Sequence, residues 1–320
     1  MKMDVFYSEK YHVDIGRHVF PTEKYRLIRE KIINCPGMAD NVHFVEPQPA
    51  SIEDVLRAHD VSYIDKLKNG TLSHEEVLTL ELPYSKELFE SALLCCGGTV
   101  GAAFSALLKK VGFHLGGGFH HAFPDHGEGF CVLNDIAVAV KKLIGERKIR
   151  KALIVDCDLH QGNGTAFMFQ KEKNVFTFSI HQENNYPFYK PKSDMDIGLP
   201  DRTKDAGYLK RLEENVPKVI SEVKPQLIIY VAGADPYEND QIGNLSLTIE
   251  GLRKRDLFIY NQAKNYDIPI ATVLAGGYAI NRNDTAEIHF NTLVSALEVF
   301  YNLDIKNIKN QISNIKNIRS

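Results

Sequence analysis

Short apolar runs rich in β-branched residues alternate along this chain with longer stretches of helical periodicity. The runs fall at 4–8, 41–45, 112–115, 151–156, 174–180, 226–232 and 269–274. Most are apolar at consecutive positions rather than at every second one, as expected of strands covered on both faces. Between them, 22–34, 51–58, 86–110, 133–146, 206–223 and 249–266 repeat apolar residues at helical spacing. Strand and helix in alternation predict an α/β fold. The expected form is a single domain of three layers, α/β/α, around a central and mostly parallel sheet with right-handed crossovers. No stretch rich in Pro, Gly or Ser marks a linker, and the sequence holds no internal repeat.

Two stretches carry mainly structural information. Gly97 and Gly98 sit in the middle of 86–110, where each costs ~1 kcal/mol against alanine. Close packing of this helix on the sheet is the expected reason. At 304–320, isoleucines at 305, 308, 312, 315 and 318 stand among Asn and Lys. That spacing forms one apolar helical stripe. The chain therefore divides into a body at 1–303 and a helical tail at 304–320, expected to dock on the body or on a sister subunit.

Composition narrows the class. A chain of 320 residues, 44% hydrophobic, can bury a sizeable core. A net charge of −3 makes nucleic acid no obligatory partner. The mixed charge of the first seven residues does not read as a secretory signal. No uninterrupted apolar stretch approaches the ~20 residues of a membrane span, so no membrane role is expected. The five cysteines form no C-x-x-C pair, and they read as reduced, buried thiols of a cytoplasmic protein rather than a disulfide framework or a thiolate zinc site.

Candidate chemistry collects at strand ends, where open α/β sheets bind ligands. The run at 112–115 leads into Gly116-Gly117-Gly118-Phe119-His120-His121, and that at 151–156 into Asp156-x-Asp158-x-His160. The next ends at His181, and the last two lead into Gly233-Ala234-Asp235 and Gly276-Gly277-Tyr278. Residues two apart in extended backbone point the same way, so Asp158 and His160 can close on one ion. Asp235 follows a wholly apolar strand, where a carboxylate needs an ion or hydrogen bonds. Two carboxylates and an imidazole suit Zn²⁺ or Fe²⁺ and leave a coordination position open. Such a metal polarises a carbonyl and lowers the pKa of water. Adjacent His120 and His121 can accept and donate protons if neighbours separate their pKa values. Asp156 and Asn163 are the candidate neighbours: a carboxylate favours imidazolium, and an amide leaves a neutral base. Tyr278 can donate its hydroxyl to a developing oxyanion. Taken singly, each has a structural reading, as an Asp–His helix cap, an incidental histidine pair or a packing tyrosine. Five strand ends together converge on a pocket.

In this order the motifs resemble the zinc-dependent histone deacetylase family of the arginase/deacetylase superfamily. They look closest to class IV and to bacterial histone deacetylase-like amidohydrolases. The likeness covers roughly 4–299 and adds Phe20-Pro21-Thr22-Glu23-Lys24-Tyr25, Gly127-Glu128-Gly129-Phe130-Cys131 and Asn134-Asp135 to the segments above. It implies the arginase/deacetylase fold, with a catalytic domain at 1–303 that hydrolyses the amide of an acylated amine. The substrate it suggests is an acyl-lysine peptide or protein, with acetylpolyamine or another small acylated amine as the alternative. It further implies zinc on Asp158, His160 and Asp235, and His121 as general base and acid with electrostatic help from His120. Asp156 would pair with His120. Asn163 would face His121, where some branches of the family have aspartate. Tyr278 would bind the acyl carbonyl. Gly129, Phe130 and Tyr186 would wall the acyl tunnel. A structural potassium ion would sit on Asp156, Ser179, Ile180 and the backbone carbonyls of Asp158 and His160.

Two rivals share the scaffold. A binuclear manganese ureohydrolase needs a second acidic residue after Asp235, where the chain has Pro236-Tyr237. A catalytically silent acyl-binding scaffold would lack one of the reacting groups, and every one is present.

Overall fold

The computed structural model describes residues 2–303, so the tail expected at 304–320 lies outside the described residues. The chain runs β1 (Met3–Phe6), α1 (Lys24–Asn34), β2 (Val42–Val45), α2 (Ile52–Val55), α3 (Val61–Asn69), α4 (His74–Leu80) and α5 (Lys86–Lys109). It continues with β3 (Val111–His114), α6 (Asp135–Gly145), β4 (Ala152–Asp156), α7 (Asn163–Phe169), β5 (Val175–Gln182) and β6 (Met195–Leu199). The last elements are α8 (Asp205–Val223), β7 (Leu227–Val231), α9 (Ile249–Asn265), β8 (Ile270–Val273) and α10 (Arg282–Tyr301).

All eight strands form one sheet in the order β2-β1-β3-β8-β7-β4-β5-β6, and every pairing is parallel. The sheet is thus wholly rather than mostly parallel. Strands β3, β8, β7, β4 and β5 are consecutive neighbours in it. Their carboxyl ends lie side by side along one edge, which is what lets residues far apart in sequence meet.

Strands β3, β4, β7 and β8 are buried at every position, which is why they read as unbroken apolar runs. Strand β6 was not expected. It lies at the edge of the sheet, with an alternating pattern of half-buried and exposed residues, and carries Asp196 and Gly198. Helix α10 was not expected either. Its buried face includes Thr285, His289, Thr292 and Ser295 as well as apolar residues, which blurs the periodic signal. The helix expected at 51–58 is a short one, α2.

The mid-helix glycines of α5 mark close approaches. A Cβ on Gly98 would lie 2.4 Å from the His114 ring of β3, and one on Gly97 would lie 1.8 Å from the Gln48 carbonyl. By length and composition α5 is apolar enough to cross a membrane. Here more than half of that window is buried within the structure.

A buried ion pair ties the loops after β4 and β7 together. Arg255 on α9 is wholly buried. Its Nε donates to Asp256 Oδ1 at 2.9 Å, and its Nη1 donates to the carbonyls of Cys157 (3.2 Å) and Gly233 (2.6 Å). Asp256 also accepts from Tyr230 and Thr292. Arg255→Met would leave Asp256 charged and uncompensated, a change that costs about 3–5 kcal/mol. Urea denaturation is expected to show a loss of that size. Arg255→Lys should recover only part of it, because an ammonium lacks the planar fork that reaches several acceptors at once.

Candidate metal and catalytic centre

Asp158 and His160 lie in the turn after β4, and Asp235 in the loop after β7. Their ligand atoms all fall within 4.8 Å of one another, and all three residues are buried. His160 Nδ1 lies 3.2 Å from Asp158 Oδ1 and 3.4 Å from Asp235 Oδ2. Backbone amides fix the carboxylates: Leu159 N donates to Asp235 Oδ1 (2.9 Å), and Gly276 N donates to Asp158 Oδ2 (2.8 Å). Gly276 must be glycine, since a Cβ there would lie 2.0 Å from Asp235 Oδ2.

That same Oδ2 is buried without a hydrogen-bond partner. Its one close polar neighbour is His160 Nδ1 at 3.4 Å, too poorly placed to make a hydrogen bond; a carboxylate oxygen left so at this depth is costly, and a metal ion between the two would remove the cost. The titration of Asp235 and His160 agrees. Burial, reinforced by the adjacent Asp158, lifts the Asp235 carboxyl to about 6. Burial alone would lower His160, but Asp158 and Asp235 overcome it and lift the imidazole to about 10. The pocket thus holds a place for positive charge, and its oxygen and nitrogen donors fit a divalent metal.

His120 and His121 follow the glycine loop after β3. Gly118 there has φ +84, and a Cβ on it would lie 2.5 Å from Ala275. The loop is anchored by Asp135 at the start of α6, which accepts from Gly118 N (3.0 Å) and Phe119 N (2.8 Å). Asn134 Nδ2 reaches the carbonyls of His120 and Ala122.

The two imidazoles have different partners. His120 Nδ1 donates to Asp156 Oδ2 at 2.8 Å, and His121 Nδ1 lies 2.7 Å from Asn163 Oδ1. Their Nε2 atoms are 3.1 Å apart, so one of the two carries a proton. Burial alone would lower His120, but Asp156 and then Asp158 lift it to about 9. His121 is held well below the ordinary histidine range, first by burial and then by the positive charge of His120 and His160. The assignment follows: His120 is the imidazolium and donates its Nε2 proton, and His121 is neutral with its lone pair on Nε2.

One small cavity brings His120, His121, Asp158 and His160 together with Phe20, Gly129, Phe130 and Tyr278. Tyr278 is set by its backbone, whose N–H donates to Asp240 Oδ2 at 2.7 Å. Burial, with Asp235 and Asp158 nearby, pushes its phenol well above the ordinary range and keeps it protonated. Phe130 stands edge-on to Tyr278 (ring centroids 5.9 Å apart), and Tyr186 stands edge-on to His121 at 5.0 Å. Gly129 lies between, where a Cβ would meet Tyr186 Oη at 2.8 Å and His121 at 2.9 Å.

Some expected residues stand apart from this cavity. His181 stands at the end of β5, one residue before Gln182, but is buried and pairs through Nδ1 with Ser179 Oγ at 2.9 Å. Ser179 is aligned with Asp156 across the β4–β5 register, with Ile180 next to it.

Three residues that line or brace the site had no role assigned from the sequence. Lys24, wholly buried, donates from Nζ to the Ala275 carbonyl at 2.5 Å, and burial lowers it to about 8 despite nearby Asp235 and Asp158. Asp240 braces Tyr278. Glu128 joins Asn163 and Tyr186. Lys24 and Glu128 stand within motifs visible in the sequence, but Asp240 has no local signal.

The all-parallel sheet with this site at its carboxyl edge is the α/β fold of the arginase/deacetylase class. It matches a crystal structure of the HDA15 HD domain with a TM-score of 0.75 over 94% of this chain and 90% of that one, at 21% identity. The family model for the histone deacetylase domain matches residues 18–293, and the chain belongs to that family. An uncharacterized Picosynechococcus protein is 37% identical over 290 residues, covering 90% of this chain and 96% of its own. Histone deacetylase 2 of Arabidopsis thaliana is 27% identical over 87% of this chain and 75% of its own. The acetoin utilization protein AcuC of Staphylococcus aureus is 28% identical over 82% and 72%. The chain is a hydrolase acting on amide bonds, a deacylase of this family.

Proposed function

We propose that the chain is a zinc-dependent deacylase acting on acyl-lysine. The observation that carries this reading is the orphaned Asp235 Oδ2 in an Asp–His–Asp cluster that shares a cavity with a neutral histidine and a protonated phenol. Asp158, His160 and Asp235 would hold the zinc. When bound, it supplies Lewis-acid activation of the acyl carbonyl and lowers the pKa of water at the site.

The chain's own groups do the rest. His121, whose unprotonated Nε2 accepts from His120 in the resting site, turns that lone pair to the proton of the attacking water. The Asn163 carbonyl holds the Nδ1 proton and fixes the ring. Tyr278 donates its phenolic hydrogen to the acyl oxygen as charge builds there. His120, kept cationic by Asp156, adds positive charge beside the developing oxyanion. The proton taken by His121 then passes to the departing amine. Gly129, Phe130 and Tyr186 line a pocket beside His121 and Tyr278, where they would wall the passage for the acyl-lysine chain. A potassium ion would be held by Asp156, Ser179 and Ile180 with the carbonyls of Asp158 and His160.

A hydrolysis panel tests the reading: acetyl-lysine peptide, myristoyl-lysine peptide and acetylated polyamine on zinc-loaded protein, with a hydroxamate control. Release of lysine amine that the hydroxamate suppresses is the expected result. Turnover of the polyamine alone would sink the acyl-lysine assignment. In the same assay Tyr278→Phe is expected to lower kcat about 10²–10³-fold, the effect of losing one oxyanion donor.

A further inference from the structure

Glu128 lies in a tight turn of the loop between β3 and α6. Its N–H donates to the Cys131 carbonyl, and the Cys131 N–H donates back to the Glu128 carbonyl. Gly129 and Phe130 inside the turn have φ of 53 and 68. The side chain is only 18% exposed and turns inward. Its Oε1 accepts from Asn163 Nδ2 at 2.7 Å and from the Tyr186 hydroxyl at 3.0 Å, and its Oε2 lies 3.4 Å from His126 Nε2.

An ionised carboxylate can only accept. Facing Asn163, it dictates which end of that amide turns toward it: the NH₂ must. The carbonyl end is then left for His121, which has to present Nδ1–H to it, and the lone pair falls on Nε2 inside the cavity. Were the amide reversed, its NH₂ would face His121 Nδ1. The lone pair would then sit on Nδ1, and Nε2 would carry the hydrogen and be unable to take a proton. Glu128, acting one residue away through Asn163, therefore selects the same working tautomer that the His120 Nε2–H favours from the other side of the ring. Burial alone would raise the Glu128 carboxyl, but His126, Asn163 and Tyr186 outweigh it and keep it ionised.

We propose that Glu128 is the positioning residue for His121, fixing its tautomer through Asn163, and that the same oxygen anchors the tunnel wall at Tyr186. The proposal rests on the reading of His121 as general base. It explains how His121 is oriented by a negative charge without touching one. An amide stands between the two, so the ring gains direction while its pKa stays low. It also joins two functions in one atom, since the wall against which the substrate chain slides and the orientation of the base share a single acceptor.

The test has two arms. In protein labelled with ¹⁵N-histidine and loaded with zinc, NMR should show His121 of the parent as the single Nδ1–H tautomer. Glu128→Gln keeps the shape but can present either an NH₂ or a carbonyl to Asn163, so the variant should show both tautomers. With acetyl-lysine peptide, kcat should fall about 10–100-fold, the usual cost of losing a group that orients a site residue, while KM changes less. In an Asn163→Asp background the imidazole already faces an acceptor-only group, and Glu128 confronts a second carboxylate. There Glu128→Gln should raise kcat. Tyr186→Phe should change KM and leave the tautomer intact. A single Nδ1–H tautomer in Glu128→Gln, or a fall in kcat of equal size in both backgrounds, would overturn the positioning role. An unchanged KM in Tyr186→Phe would overturn the wall anchor. The tautomer needs no turnover to be read, so a wrong substrate assignment would not obscure it.

Discussion

Asp235→Asn is expected to lose bound zinc and to fall about 10³-fold or more in turnover, with the metal-free protein at least as stable as the parent. The first half follows from position. An amide keeps the hydrogen bond from Leu159 N on Oδ1 and puts an NH₂ where the orphaned Oδ2 now stands. That NH₂ repels a cation. Lewis-acid stabilisation contributes several kcal/mol, and at about 1.4 kcal/mol per decade this is the stated loss. The second half follows from electrostatics. The Asp235 carboxyl is lifted to about 6 by burial and by Asp158, so at neutral pH it is mostly ionised and that charge costs the metal-free fold stability. Removing the charge removes that penalty. Metal analysis, initial rates and thermal melting of metal-free protein check the three parts. A variant that keeps its zinc would take Asp235 out of the ligand set.

His121→Ala is expected to lower kcat about 10²–10⁴-fold, the range for losing a general acid–base, with zinc content and melting temperature unchanged. The Asp158 carboxylate is held by His160 N and Gly276 N and that of Asp235 by Leu159 N, and none of these contacts passes through His121. A loss of rate with the metal retained separates proton transfer from metal binding. His120→Ala tests the division of labour. It removes the proton donor 3.1 Å from His121 Nε2 and the charge that Asp156 sustains, but leaves the base and its Asn163 partner in place. Its rate should fall less. Full activity in His121→Ala would remove that residue from the mechanism.

The buried half of the fold was readable in the sequence because strands covered on both sides leave unbroken apolar runs. Strand β6 was not, since an edge strand with alternating exposure has no such run, and α10 was obscured by the Thr, Ser and His that it buries. At the site, Asp158, His160, Asp235, the histidine pair and Tyr278 were legible because strand ends in a parallel sheet lie side by side, so that reading order along the chain amounts to reading position. His181 shows the limit of that rule: it stands at the end of β5, one residue before Gln182, yet its ring pairs with Ser179 rather than facing the cavity. Glu128, Asp240 and Arg255 act through side chains that reach across loops, and no spacing in the sequence encodes that reach.

The strand-end loops are also bonded to one another. Cys157 N donates to Val231 O, Ala234 N to Gly276 O, Leu274 N to Gly116 O and Ala275 N to Gly117 O. The floor of the cavity is thus an extension of the sheet, and its amides should exchange with solvent only through openings that also break the strands. Beyond Asn185, by contrast, Phe188 and Tyr189 stand exposed, outside this bonded floor. Side chains in that exposed stretch can be exchanged without breaking any of the bonds that join the floor to the strands.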